Sequence, residues 1–101
     1  MVLARGGSNP SSPTLRVTIM NSFFVYILKS LKDNKLYIGQ TNNLESRLSR
    51  HNSGKVIATR NRRPLVLIYN EEYKSRADAM KREKYLKSLK NPSYIENKII
   101  N

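Results

Sequence analysis

The chain has 101 residues, a formal net charge of +12 and 39% hydrophobic residues, which fits one small globular domain and leaves too little chain for a second core. It contains no cysteine and one histidine, so disulfides, thiolate metal centres and multi-histidine zinc sites are excluded, and the reducing cytoplasm is the expected compartment. No apolar run approaches the roughly 18–20 residues of a membrane span, so no membrane partner is predicted.

The positive charge runs along most of the chain. Residues 23–101 carry 17 basic and 7 acidic groups. Such a surface can serve solubility alone, yet a strongly cationic domain also gains free energy from counterion release on a phosphate backbone. Nucleic acid is favoured over an anionic membrane because no helix combines a basic face with a bulky aromatic one.

Residues 1–22 are predicted to form a disordered extension. Residues 6–13 are rich in glycine, serine and proline and lack any periodicity. The segment has neither a long apolar core nor a small-residue cleavage site, so it is not a signal peptide. Met20 stands just before the first regular segment and is a candidate alternative start. The folded domain is expected over residues 23–101.

Three strands are predicted. Residues 23–29 and 35–40 are rich in β-branched and aromatic residues, and the polar pair Asp33-Asn34 between them indicates an antiparallel hairpin. A third strand is expected at about residues 65–73, after a basic loop at residues 55–63. These segments predict a small antiparallel sheet.

The first helix is predicted between the hairpin and the basic loop. Asn42 is its candidate cap, with Glu45 three residues later in capping-box register. Leu44 and Leu48 define its inner face, and it should end near Ser53-Gly54.

Two further helices follow the third strand. Ser75-x-x-Asp78 predicts the start of one that runs to about Lys90. Asn91-Pro92 predicts the start of a short last helix with Ile95 and Ile99 on one face. The order ββαβαα indicates an α+β domain in which helices flank the three-stranded sheet.

Arg47 and His51 share a face of the first helix with its two leucines. An arginine on the inner face of a helix is costly unless it meets an anion. That anion is either a carboxylate such as Glu83, in a structural ion pair, or a bound phosphate, for which the planar fork of donors is well shaped. A histidine near a helix end is usually a surface or capping residue. His51 is a candidate site residue because it shares its helix face with Arg47.

Glu83 is the one acidic residue in the predicted apolar stripe of the second helix, with Ala79 and Met80 before it and Leu86 after it. It can form an ion pair with Lys84, Lys87 or Arg47. It can also bind a hard cation such as Mg²⁺, which takes one or two carboxylates and keeps most of its waters.

Tyr26 and Tyr37 lie on the two hairpin strands, where a tyrosine is commonly core packing with its hydroxyl at the edge. Gly39 ends the second strand, and its missing side chain lets another group approach the backbone. Phosphodiester hydrolysis needs an activated water, a positively charged group beside the phosphate and protonation of the leaving oxygen. Phenols, a guanidinium and a metal on a carboxylate are the right chemical types for this reaction.

With these residues in place, the chain resembles the GIY-YIG nuclease family. Val25-Tyr26-Ile27 is similar to the first half of the name motif, although Phe24-Val25 stands in place of its Gly-Ile, and Tyr37-Ile38-Gly39 matches the second half. The ten-residue step from Tyr37 to Arg47 also fits the family layout.

His51 after that arginine, and Glu83 on a later helix, fit the same layout. The likeness covers about residues 23–90 and is to small standalone bacterial members, often described as excision-repair-like.

The resemblance implies a single divalent ion, Mg²⁺ or Mn²⁺, and hydrolysis that leaves 5′-phosphate and 3′-hydroxyl ends. It implies Tyr37 as the general base, Tyr26 as its hydrogen-bonded helper, Arg47 as the phosphate clamp and Glu83 as the metal ligand. His51 occupies a position that serves either as base or as phosphate contact in the family.

The implied substrate is DNA, branched, damaged or single-stranded, in repair or recombination. Many family members carry a separate recognition domain, and none is seen here, so a protein partner that supplies specificity is a further expectation. The alternative is a non-catalytic nucleic-acid-binding module that keeps the same fold. The candidate nucleic-acid contacts lie in the basic loop and on the lysine-rich helix: Arg60, Arg62, Arg63, Lys84 and Lys87.

Overall fold

The computed structural model describes residues 22–101, so nearly all of the predicted N-terminal extension lies outside the described residues. The described part follows the predicted order ββαβαα, and the α+β fold class is confirmed. A short 3₁₀ turn precedes the third strand, and the last helix continues into a π-helical turn at Ile95–Ile100. The elements are β1 (Phe23–Ser30), β2 (Leu36–Thr41), α1 (Leu44–Asn52), the 3₁₀ turn (Arg60–Arg62), β3 (Leu65–Tyr73), α2 (Arg76–Leu89) and α3 (Pro92–Tyr94).

β1 is the centre of a fully antiparallel sheet with the order β2-β1-β3. Four consecutive residues of this strand, Val25 to Leu28, are each at most 2% exposed. A strand that reads as a continuous apolar run rather than an alternating one is typical of burial on both faces. The predicted strand bounds agree with the structure to within one residue.

The two faces of β1 belong to two clusters. Val25 and Ile27 pack with Ala79 and Leu86 of α2 and with Ile95 of the π-helical turn. Tyr26 and Leu28 point the other way, toward Leu65 and the half-buried leucines of α1. Leu44 and Leu48 of α1 thus face the core as predicted, and so do Ile95 and Ile99, which lie in the π-helical turn that continues α3. Tyr26 is the polar member of the smaller cluster, which places a hydroxyl inside the protein.

The N-cap of α1 lies one residue later than the sequence predicted. Asn43, not Asn42, has the extended cap conformation, and its Oδ1 accepts the Ser46 amide at 3.0 Å. The shift arises because the Asn43 amide donates to Thr41 Oγ1 at 3.1 Å, which turns the chain one residue later. The predicted capping-box register of Glu45 is therefore wrong.

The caps of α2 and α3 are confirmed. Ser75 accepts the Asp78 amide at 3.1 Å, and Asn91 accepts the Tyr94 amide at 3.1 Å, with Pro92 in the first turn. Each cap satisfies an amide that the helix itself leaves free. Within residues 22–101, no helix combines the length and apolarity needed to cross a membrane.

A carboxylate on β3 ties the sheet to α2. Glu71 accepts two hydrogen bonds from Arg82, at 2.9 and 3.0 Å, and the hydroxyl of Tyr73 donates to it at 2.6 Å. Tyr69 donates to the same carboxylate. Since Arg82 immediately precedes Glu83, this network fixes α2 against the sheet next to the candidate metal ligand.

Candidate active site

Tyr26, Arg47 and His51 meet around one phenol. The Tyr26 hydroxyl lies 3.0 Å from His51 Nε2, and Arg47 Nε donates to the same oxygen at 3.4 Å. The structure thus brings the β1 tyrosine and both polar side chains of the α1 inner face together. Arg47 meets a phenol, and no ion pair of this arginine is present among residues 22–101.

His51 is completely buried and is not the surface or capping residue that its position near a helix end would suggest. Its Nδ1 lies 2.8 Å from the hydroxyl of Thr59, which is also completely buried. Burial, followed by the positive charges of Arg47 and Arg50, lowers the pKa of His51 to about 4. The imidazole is therefore neutral at neutral pH, with one nitrogen that donates and one that accepts.

The Tyr26 phenol keeps its proton at neutral pH. Burial raises its pKa, and the hydrogen bond from Arg47 only partly opposes this effect. A protonated phenol that accepts from Arg47 donates its own proton to His51 Nε2. The tautomer of His51 that satisfies every group then carries its proton on Nδ1 and donates to Thr59.

Thr59 is a buried partner of His51 that the sequence did not reveal. A threonine in a basic loop would be expected on the surface, and no pattern around it indicates burial. Its contact with His51 anchors the start of the 3₁₀ turn beside the site.

Tyr37 lies on the solvent side of this group. Its ring centroid is 4.8 Å from that of His51 and 6.3 Å from that of Tyr26, and its side chain is only half-buried. Burial thus distinguishes the two candidate catalytic phenols: Tyr26 is an internal hydrogen-bonding group, and Tyr37 is the phenol that solvent reaches.

Gly39 is paired with Tyr26 across the hairpin. A β-carbon at position 39 would stand 2.5 Å from the Tyr26 hydroxyl and 2.7 Å from its Cζ. The phenol of Tyr26 therefore fills the space that a side chain at position 39 would occupy. The glycine of the second motif makes room for the tyrosine of the first.

Glu83 lies between buried Ala79 and buried Leu86 on α2, with its own side chain 20% exposed. Met80 is 50% exposed, so the predicted apolar stripe is narrower than expected and Met80 is not part of it. The Glu83 carboxylate contacts Lys87 at 2.9 Å. Of the ion pairs that the sequence allowed, the one with Lys87 forms.

The pKa of Tyr26 is raised mainly by burial, and the negative charge of the Glu83 carboxylate adds a smaller contribution. Within residues 22–101, no group of three or more histidine, aspartate or glutamate side chains lies close enough together to hold a metal. A site built from several protein ligands therefore does not fit. A hard cation with one protein carboxylate and a shell of water does fit Glu83.

The candidate nucleic-acid contacts differ in availability. Arg60 and Arg63 border a depression of about 480 Å³ that Lys32 also lines. Arg62 instead turns inward: its Nε lies 3.3 Å from Asp33 Oδ2, and its Nη2 donates to a backbone carbonyl of β2.

Arg62 therefore holds the loop in place. On α2, Lys84 is exposed, and Lys87 is held by Glu83.

The family profile described as the GIY-YIG catalytic domain matches residues 22–99. The chain is 47% identical over 71 residues to a UPF0213 protein of Staphylococcus haemolyticus, which covers 69% of this chain and 85% of that protein. It is 43% identical over 82 residues to the UPF0213 protein YazA of Bacillus subtilis, covering 77% and 82% of the two chains. A solution NMR structure of a UPF0213 protein from Bacillus halodurans aligns with 74% of this chain and 80% of that chain at 33% identity and a TM-score of 0.47. The chain belongs to the GIY-YIG family.

Proposed function

We propose that this protein is a divalent-metal-dependent endonuclease that hydrolyses phosphodiester bonds of DNA in the cytoplasm, in repair or recombination. The observation that carries the proposal is the convergence of Arg47 and His51 on the Tyr26 hydroxyl. Removing a guanidinium from water to place it beside phenols costs folding free energy, so packing alone does not explain this arrangement. The same set suits a reaction that develops negative charge on phosphate.

Tyr37 is the proposed general base, because it is the phenol that solvent reaches. As the general base, its phenol oxygen takes a proton from the attacking water. The water oxygen then forms a bond to phosphorus, and the bond from phosphorus to the 3′ oxygen breaks. The leaving 3′ oxygen takes a proton from solvent water, and the products are a 5′-phosphate and a 3′-hydroxyl.

The rings of Tyr26 and His51 pack beside the proposed base, Tyr37, at centroid distances of 6.3 and 4.8 Å. His51 Nε2 accepts a hydrogen bond from the Tyr26 hydroxyl, so the Tyr26 phenol stays oriented across the hairpin and its oxygen keeps its contact with Arg47. That contact uses one of the five donors of the guanidinium, and the fork retains donors for a phosphate oxygen.

Glu83 would hold the ion, Mg²⁺ or Mn²⁺, which supplies Lewis acidity and neutralises charge on the phosphate. Lys87 now contacts this carboxylate. Ion pairs at (i, i+4) on a helix contribute only about 0.3–0.5 kcal/mol, so this pair is a weak competitor for a divalent ion.

The test is incubation of the purified protein with labelled duplex, flap, forked and single-stranded DNA in Mg²⁺ or Mn²⁺. Glu83→Gln should lower cleavage by about 100-fold or more while the variant stays folded and still binds DNA. Glu72→Gln, an exposed carboxylate on β3, is the matched control. If the wild-type protein cuts no nucleic acid with either ion, catalysis by the isolated chain is wrong.

A non-catalytic nucleic-acid-binding module is the second candidate, and the cations Arg60 and Arg63 beside the depression that Lys32 lines favour it, because they can hold a phosphate backbone without a metal. The DNA affinity of such a module would be unchanged in Glu83→Gln. It would fall when the charges of Arg60 and Arg63 are neutralised. A protein partner that supplies specificity is compatible with both candidates.

A further inference from the structure

A groove runs beside the candidate active site, between the outer edge of β2 and the junction of α2 with α3. Its volume is about 480 Å³, within the roughly 300–1,000 Å³ range of small-ligand pockets. The floor is apolar, and the rim carries three lysines. The floor residues are Leu36, Ile38, Leu86, Pro92 and Ile95, and the rim lysines are Lys35, Lys87 and Lys90.

The groove joins the candidate active site at two points. Tyr37, the proposed base, is part of its lining. Lys87 on its rim contacts the carboxylate of Glu83 at 2.9 Å. A ligand in the groove would therefore lie next to the phosphate on which the site acts.

The chemistry of the groove matches a nucleotide. Cations on the rim fit phosphates, and an apolar floor fits the flat face of a base. In a duplex the base faces are stacked and covered, so only an unpaired nucleotide can place its base against such a floor. Three lysines with no acidic residue in the lining disfavour a neutral or basic peptide as the occupant.

We propose that this groove binds an unpaired nucleotide next to the scissile phosphate, so that the protein selects DNA with a single-stranded segment at the cleavage site. The inference rests on the proposed nuclease function for its position relative to cleavage. Binding in the groove itself is measured without catalysis, so the two ideas can fail separately.

The first test measures binding by fluorescence anisotropy in EDTA, with a short oligothymidylate and a matched duplex. The double variant Lys35→Gln/Lys90→Gln removes two rim charges and leaves Lys87 intact. We expect it to weaken single-strand binding roughly tenfold and to lower the slope of log affinity against log salt by about 1.4, with a smaller loss on the duplex. Lys74→Gln is the control, since Lys74 is exposed and lies just before α2, at the end of that helix far from the groove.

The second test asks whether a base is recognised. A series of oligothymidylates with one abasic position each should show one or two positions at which affinity falls several-fold. That loss should disappear in the double lysine variant. Polyglutamate of matched charge should bind more weakly than the oligonucleotide.

Three results would overturn the inference: equal losses in the double variant and in Lys74→Gln, no position-dependent abasic effect, or polyglutamate binding as tight as DNA. Cleavage of plain duplex at the same rate as a flap would overturn the selectivity while leaving the nuclease function intact. Absence of all cleavage, with the base-dependent binding present, would overturn the proposed function and leave the groove as a binding site.

Discussion

The Tyr26 hydroxyl occupies the space in which a β-carbon of Gly39 would stand, at a distance of 2.5 Å. Two residues of different motifs thus depend on each other through packing. A substitution at position 39 acts on the site through the position of the phenol.

Gly39→Ala should therefore destabilise the protein by about 1–3 kcal/mol and lower cleavage, because the added methyl group displaces a buried, hydrogen-bonded phenol. The free energy of unfolding is measured in urea. Tyr26→Phe removes the nearest oxygen, so the penalty of Gly39→Ala should shrink in that background. An equal penalty in both backgrounds would mean that the phenol does not fill this space.

The stability of the protein should fall with acid because of His51. Its folded pKa of about 4 lies below the ordinary value of 6.5, so the unfolded chain binds the proton more tightly. The stabilisation is complete above pH 6.5 and is lost as pH falls from there toward 4, at up to about 1.4 kcal/mol per pH unit. The measurement is the free energy of unfolding in urea of wild type and His51→Gln, followed from about one pH unit above the ordinary histidine pKa down to roughly pH 4.5. The slope of that free energy against pH is compared between the two proteins. Equal slopes in the two proteins would contradict a buried neutral imidazole.

Glu71 should be a stabilising residue whose contribution is lost in acid. Burial would raise its pKa, but the hydrogen bonds from Arg82, Tyr69 and Tyr73 outweigh burial and lower it. Its stabilisation is present above the ordinary carboxyl pKa and disappears as pH falls through the lowered one. Glu71→Gln should cost roughly 2 kcal/mol at neutral pH, because the Arg82 charge loses its partner.

Glu72 supplies the control for that variant, since it is the next residue on β3 and is exposed. Glu72→Gln should change the free energy of unfolding by less than about 0.5 kcal/mol. Similar losses in both variants would show that overall charge, and not the network around Glu71, sets the stability.

Lys87 should weaken metal binding. Its ammonium lies 2.9 Å from the Glu83 carboxylate, so it competes with and repels a divalent ion. Lys87→Met should raise the affinity of the DNA-free protein for Mn²⁺ several-fold, as measured by calorimetry, whereas Lys84→Met on the exposed side of the helix should change it less. If Glu83→Gln leaves Mn²⁺ binding unchanged, Glu83 is not the ligand.

The strand pattern and the helix signals predicted most of the fold, because β1 is apolar on both faces and Ser75 and Asn91 are effective caps. Asn42 was the wrong cap, since the choice between two adjacent asparagines depends on the hydrogen bond from the second one to Thr41. Sequence periodicity does not contain that information.

The spacing of Arg47 and His51 on α1 predicted a shared inner face, and the structure brings both to Tyr26. Thr59 could not be predicted, because its contact with His51 depends on how the basic loop folds back over the helix. The inward turn of Arg62 toward Asp33 is also a tertiary contact that charge alone does not reveal. The roles of these residues in catalysis stay predictions.

The most direct measurement compares single-turnover cleavage of labelled flap DNA in Mn²⁺ by wild type, Arg47→Ala and Arg50→Ala. Both arginines lie on α1, but Arg47 contacts the Tyr26 phenol and Arg50 is exposed. If Arg47 and the phenols form a phosphodiester-hydrolysing site, Arg47→Ala loses about 100-fold or more in rate and Arg50→Ala stays within several-fold of wild type. Equal rates for the two variants, or no cleavage by wild type, would contradict the assignment.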